Sequence, residues 1–222
     1  MQMMGQVTTS ESTIKVKNGF MRTDTTVNGV PQTMIIDVKG RRYISLNAGA
    51  REATVTDADA MAAQMAQAGA SDLSLRLNPT GDTKSIAGLS CDGYTVTVSM
   101  TMNMGGQAMP MTMTGPAWSS KSAPGAKEYA AFMAMASDSG MFLVTPGQRG
   151  QGGGTAELMK KMAEAGLPCA SEFEIGMGSG EMAAMMSQMG KSSMTNETTS
   201  VSTAPLDDSL FAIPDGYTIK KP

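Results

Sequence analysis

The chain has 222 residues, 41% hydrophobic and 17% charged, with a net charge of −3, so it can bury a core and is not compositionally disordered. It has no basic run and no Lys/Arg stripe interleaved with aromatics, which excludes the electrostatic footprint of a nucleic-acid binder. It has no histidine, which removes Ser-His-Asp and Cys-His catalysis and His-containing zinc sites, and its 24 methionines outnumber its 1 Trp, 4 Tyr and 5 Phe together.

Residues 7 to 56 read as an antiparallel meander. Asn18-Gly19, Asn28-Gly29 and Lys39-Gly40 punctuate runs rich in Thr, Val and Ile, and Asn-Gly between alternating runs is a strong hairpin signal. The expected strands are Val7–Lys17, Phe20–Val27, Gln32–Val38, Arg42–Leu46 and Arg51–Val55. A short helix follows, capped by Thr56 or Asp57, with Met61, Met65 and Ala68 on one face and Gly69 at its end. A strand at Leu73–Leu77 precedes the most informative stretch.

From Tyr94 to Met104 the alternation is unbroken. Tyr94, Val96, Val98, Met100, Met102 and Met104 point one way, and Thr95, Thr97, Ser99, Thr101 and Asn103 the other. Such a strand is about 36 Å long. With Gly105 to Ala108 as a four-residue turn, the pattern returns as Met109, Met111 and Met113. The hairpin then sets Met104 against Met109, Met102 against Met111 and Met100 against Met113, six thioethers on one face. Pro110 lacks a backbone donor, which predicts an edge position or a bulge for its strand.

Further on, Tyr129, Phe132, Met133 and Ala136 have helical spacing. Thr155 can cap a helix carrying Leu158, Met159 and Met162, closed by Gly166 and Pro168. Glu172–Ile175 reads as a strand, Ser179 as the cap of a helix with Met182, Met185, Met186 and Met189 on one stripe, and residues 193 to 203 as an exposed strand. Pro146–Gly154 is a Gly-rich loop. No repeat and no interdomain linker stands out, so residues 1–222 are expected to form one domain.

Catalytic chemistry finds little support. The carboxylates are scattered, and Asp207-Asp208 looks like a turn. The glycines at 147–154 have no GK[ST] ending, and Gly178-Ser-Gly180-Glu-Met-Ala183 lacks the βαβ context of a dinucleotide site. Asn196-Glu-Thr198 matches a glycosylation sequon on sequence alone. A non-enzymatic protein is therefore expected. Cys91 and Cys169 have no CxxC spacing; they read either as a disulfide or as two buried thiols. A disulfide would argue for an oxidising compartment. No run approaches the roughly 20 apolar residues that cross a bilayer. Met1-Gln-Met-Met leads almost directly into a strand, as in a mature chain whose export signal was removed.

The methionines admit three readings: core packing on helix faces, an adaptable apolar binding surface, and soft-metal capture, because thioethers favour Cu(I).

The ending Leu206, Leu210, Phe211, Ile213, Pro214, Gly216 and Tyr217, with Met34-Ile-Ile-Asp37, Arg42-Tyr-Ile-Ser-Leu46 and Ile86-Ala-Gly-Leu-Ser-Cys-Asp-Gly-Tyr94, resembles an exported bacterial family of uncharacterised function related to the lipoprotein-carrier (LolA/LolB-like) fold. The resemblance implies a β-dominated α+β fold: a long curved antiparallel sheet, a half-barrel, with helices covering its concave apolar face. It also implies a periplasmic or surface location and a lipid acyl chain as ligand. It supplies no catalytic residues. The chain departs from the family in its methionine load.

The leading expectation is thus a periplasmic or surface-anchored carrier of a hydrophobic ligand, lined by Tyr94, Val96, Val98, Met100 and Met102. Contact with a membrane would be peripheral or through a lipid anchor. The runner-up is a Cu(I) or Ag(I) binder using Met100, Met102, Met104, Met109, Met111 and Met113. The third is a structural protein of the cell envelope that self-associates through the Pro110 edge.

Overall fold

The fold comes from a computed structural model that describes residues 2–3, 6–7, 9–27, 29–67, 71–104, 107–141, 160–177 and 192–220. The Gly-rich loop at 146–154, the helix start at Thr155, the glycines at 178–183 and the stripe Met182–Met189 lie outside them.

The protein is β-dominated, and its strands divide between two sheets. The first is the expected meander: β3 (Glu11–Lys17), β4 (Phe20–Val27), β5 (Val30–Asp37), β6 (Arg42–Asn47) and β7 (Glu52–Asp57) pair in sequence. Asn18 (φ 50°) and Gly19 (φ 87°) form a left-handed two-residue turn between β3 and β4, as Asn-Gly allows. A short C-terminal strand, β13 (Thr218–Lys220), joins β7 in parallel. After β7 the helix α1 (Ala58–Gln67) intervenes, and the chain opens a second meander of longer strands. These are β8 (Ser71–Ile86), β9 (Leu89–Met104), β10 (Gln107–Ser120), β11 (Leu167–Met177) and β12 (Ser192–Glu197). The N-terminal β1 (Gln2–Met3) and β2 (Gln6–Val7) extend this sheet beyond β12.

Two expectations are corrected here. The single long curved sheet is two sheets, of six and seven strands, and neither closes on itself among the described residues. The cause is the break at α1: β8 pairs with β9 and not with β7. The expected strand Val7–Lys17 is likewise split, with Val7 in the seven-stranded sheet and Glu11–Lys17 in the other.

Helix α2 (Ala126–Asp138) covers one face of the six-stranded sheet. Phe132, Met133 and Ala136, with Tyr129 beside them, are spaced to form one stripe, and they pack on Val16, Met21, Val38, Ile36 and Tyr43. Arg41 donates to the carbonyl of Ser139, and the Tyr43 hydroxyl to that of Met141, so the end of the helix is tied to the sheet. The opposite face presents Ile35, Ile44, Leu46 and Ala53, covered by Ile213 and Tyr217. Phe211 stacks at 5.7 Å on Phe20, and Arg22 donates to the Leu210 carbonyl at 2.7 Å. Asp207 caps the one-turn 3-10 helix Asp208–Phe211 through the Ser209 amide, which confirms a turn there. The "L…LFxIPxGY" ending is therefore a strap across the sheet.

Candidate functional site

The apolar face of the seven-stranded sheet is the region that sequence alternation singled out. Cross-strand register assembles it in rows. Leu77 lies opposite Val96, which lies opposite Gly115. Leu75 lies opposite Val98, Val98 opposite Met113, and Met113 opposite Ile175. Met100 lies opposite Met111, and Met111 opposite Met177.

The hairpin register differs from the expected one. Met104 pairs with Gln107, Met102 with Met109, Met100 with Met111 and Val98 with Met113. β9 runs to Met104 and β10 starts at Gln107, so two residues lie between the strands instead of four. A slip of two residues leaves every side chain on its original face, so the methionines still share one side. Two Met–Met pairs, Met102–Met109 and Met100–Met111, stand in place of the expected three.

Pro110 is also placed differently. β10 is an interior strand, hydrogen-bonded to β9 and to β11, and not an edge. Counting back from the Met104–Gln107 closing pair, the amide position of Pro110 faces away from β9, so its missing donor costs nothing in the β9–β10 ladder. Among the described residues the β10–β11 ladder is irregular at Trp118/Ser119, far from Pro110.

Burial grades along β9. Cys91, at one end, is fully buried and bonded to Cys169 of β11, with Ile86, Leu89, Trp118 and Ala170 around the pair. Lys84 Nζ sits 4.6 Å above the Trp118 ring. Next come Tyr94 (8% exposed) and Val96 (7%), packed with Leu75, Leu77, Ala117, Phe173 and Ala165. Ala165 ends a helical segment, residues 160–165, whose Ala163 touches the α2 cluster. Gly166, at φ 98°, turns this segment into β11, and a Cβ there would meet the Ser120 carbonyl oxygen at 2.4 Å. Towards the hairpin, Val98, Met100, Met111 and Met113 are only half-buried. Met102, Met104 and Met109 occupy the next positions on the same face by register.

Of the five expected lining residues, Tyr94 and Val96 are core, Val98 and Met100 lie at its open margin, and Met102 is placed by register alone. Sequence reasoning passed over Phe173, Ile175 and Met177, which extend the face onto a third strand. Their signal was present, since they alternate with Glu172, Glu174 and Gly176.

Among the described residues, no three of His, Cys, Asp and Glu cluster as metal ligands, and no helix is long and apolar enough to cross a membrane. Among the described residues the clearest electrostatic centre is Asp24, on β4, beside the edge strand β3 of the other sheet. Partial burial would raise its pKa. Hydrogen bonds from Arg22, Lys15 (2.6 Å) and Thr33 (2.8 Å) prevail and hold the carboxyl well below the usual carboxylate range. This ties three neighbouring strands together and serves the fold. Burial pushes the Tyr129 and Tyr43 hydroxyls up, which keeps both neutral at physiological pH.

A search of the curated proteins and one of the solved structures found no match. The model of one family, described as a domain of unknown function, matches residues 1–217. With nearly its whole length covered, the chain belongs to that family, DUF4412.

Proposed function

We propose that this protein is a non-enzymatic binder of a hydrophobic ligand, an acyl chain or an apolar protein segment, held against the methionine end of the seven-stranded sheet. One observation carries the reading. A continuous apolar face runs from fully packed residues (Tyr94, Val96) to half-buried ones (Val98, Met100, Met111, Met113) without turning polar. Unbranched thioethers suit such a margin, because they re-pack around ligands of varied shape. In this reading the helical segment at residues 160–165 roofs the packed end of that face, as helices do in a LolA/LolB-like carrier, and the ligand enters past the hairpin. The Cys91–Cys169 bond supports residence in an oxidising compartment, the periplasm or the outer surface.

The test is uptake of a fluorescent fatty-acid probe by delipidated protein, with Met111→Glu and Met113→Glu as variants. Saturable uptake by the parent, reduced at least about tenfold by either charge, is expected, about 1.4 kcal/mol. No uptake by the parent sinks the reading.

The row Met100–Met111–Met177 favours a second reading, a Cu(I) or Ag(I) site, since it sets methionines on three adjacent strands directly abreast. Native mass spectrometry separates the two, because lipid adds several hundred daltons and a metal adds one ion's mass.

A further inference from the structure

Among the described residues each sheet ends in two edge strands, and three of the four are blunted. β13 has three residues and β2 two. β8 carries Pro79 and a break in its ladder between Pro79 and Thr83. Short strands, proline and irregular ladders are the devices that keep edges from pairing. β3 has none of them: its seven residues pair with β4 without interruption and contain no proline.

The geometry of β3 is self-complementary. Lys17 and Phe20 close the two-residue turn as a hydrogen-bonded pair, so the backbone groups of Lys15, Thr13 and Glu11 also face β4. Those of Ser12, Ile14 and Val16 face outward. Ile14 is the central residue of the strand, and its side chain is 58% exposed. Lysines on an edge normally deter pairing. Here Lys15 is drawn onto Asp24 (2.6 Å) and Lys17 onto Asp208 (2.7 Å), both within the same chain.

We propose that β3 pairs antiparallel with β3 of a second copy of this chain, about a two-fold axis through Ile14. That register brings all three outward-facing residues into hydrogen-bonded pairs, Ile14 with Ile14 of the second copy and Ser12 with Val16 of the second copy, twice. It joins two exposed isoleucines on the α2 side of the sheet. It also sets Glu11 opposite Lys17 of the second copy at both ends, so charge complementarity selects the register. The two six-stranded sheets become one of twelve, an isologous dimer.

Sedimentation velocity on the full chain tests this. The parent is expected to sediment as a dimer that dissociates on dilution. Glu11→Lys and Lys17→Glu should each be monomeric, because each sets like charges face to face, and an equimolar mixture of the two should regain the dimer, because both contacts then become Lys–Glu. Ile14→Cys provides a variant that does not depend on Lys17's contacts with the strap. Hydrogen-bonded partners lie about 5.5 Å apart, within disulfide range, so it should cross-link on oxidation. The native cysteines are already bonded to each other and do not compete. A monomeric parent, a dimer unaffected by Glu11→Lys, a mixture that stays monomeric, or absence of the Ile14→Cys cross-link would overturn the proposal.

Discussion

Replacing both Cys91 and Cys169 by alanine should cost the protein a large part of its margin of stability. The bond ties β9 to β11, the two strands that flank β10, across 78 residues of chain. In the chain-entropy model a closed loop of that length removes about 15 cal/mol/K from the unfolded ensemble, about 4.5 kcal/mol at room temperature. That is a large part of the 5–15 kcal/mol typical of a native protein, roughly speaking. Alanine is the right replacement, because both positions are at most 1% exposed among Ile86, Leu89, Trp118 and Ala170. A serine hydroxyl there would add a buried polar group and confuse the reading. Urea titration is the assay, with the midpoint expected to fall by about 1.5–2.3 M for a slope of about 2–3 kcal/mol/M. Dithiothreitol on the unaltered protein should reproduce the shift. A loss under about 1 kcal/mol, or an alanine variant equal in stability to the parent, would refute the loop-closure reasoning.

Gly115→Ala should destabilise by about 1–3 kcal/mol in thermal melts, since a Cβ would lie 1.9 Å from the Glu172 carbonyl oxygen and force β10 from β11. Gly176→Ala on β11 is the control: its Cβ would meet nothing nearer than 3.7 Å, and its stability should scarcely change. Asp24→Asn tests the carboxylate network. A carboxyl held below its ordinary value of 3.8 contributes stability that is fully present above that pH and is lost as pH falls below it. The parent should therefore be the more stable at neutral pH, and the two melting temperatures should converge in acid. A gap independent of pH would show that Asp24 acts through shape and not charge.

Much of the architecture was legible because β-structure writes itself with a period of two. Phe20–Val27 was read to the residue, as was the end of β9 at Met104. What the pattern cannot carry is a register shift of two residues. The faces of Met100, Met102, Met111 and Met113 were right while every pairing among them was displaced, because a shift of two residues conserves the alternation that betrays the strand. The division into two sheets was equally silent. Whether β8 pairs with β7 or starts afresh depends on backbone edges, and Thr-rich strands look alike on either side of that choice. The expected strand Leu73–Leu77 was too short: β8 runs over Ser71–Ile86, passing Pro79 and Gly81 with only an interrupted ladder.

The C-terminal strap narrows where function can reside. A sheet apolar on both faces must be covered on both. The six-stranded sheet meets this with α2 against Val38 and Met21 and with Phe211, Ile213 and Tyr217 near Ile35 and Leu46. Its interior is committed to its own chain, and the motif that carried the family resemblance is part of that commitment. The seven-stranded sheet is covered differently. Residues 160–165 bring Ala165 onto Tyr94 and Val96, but Val98, Met100, Met111 and Met113 keep partial access to solvent. Leucine or valine would pack such a face more rigidly; methionine leaves it deformable. Substituting Met100, Met111 and Met113 together by leucine therefore separates the two uses of the band. If it is only core, stability should hold within about 1.5 kcal/mol per site, as for other volume-conserving exchanges, and ligand capture should be unaffected. If the band is an adaptable binding surface, stability should hold just as well while the range of apolar probes the protein accepts narrows.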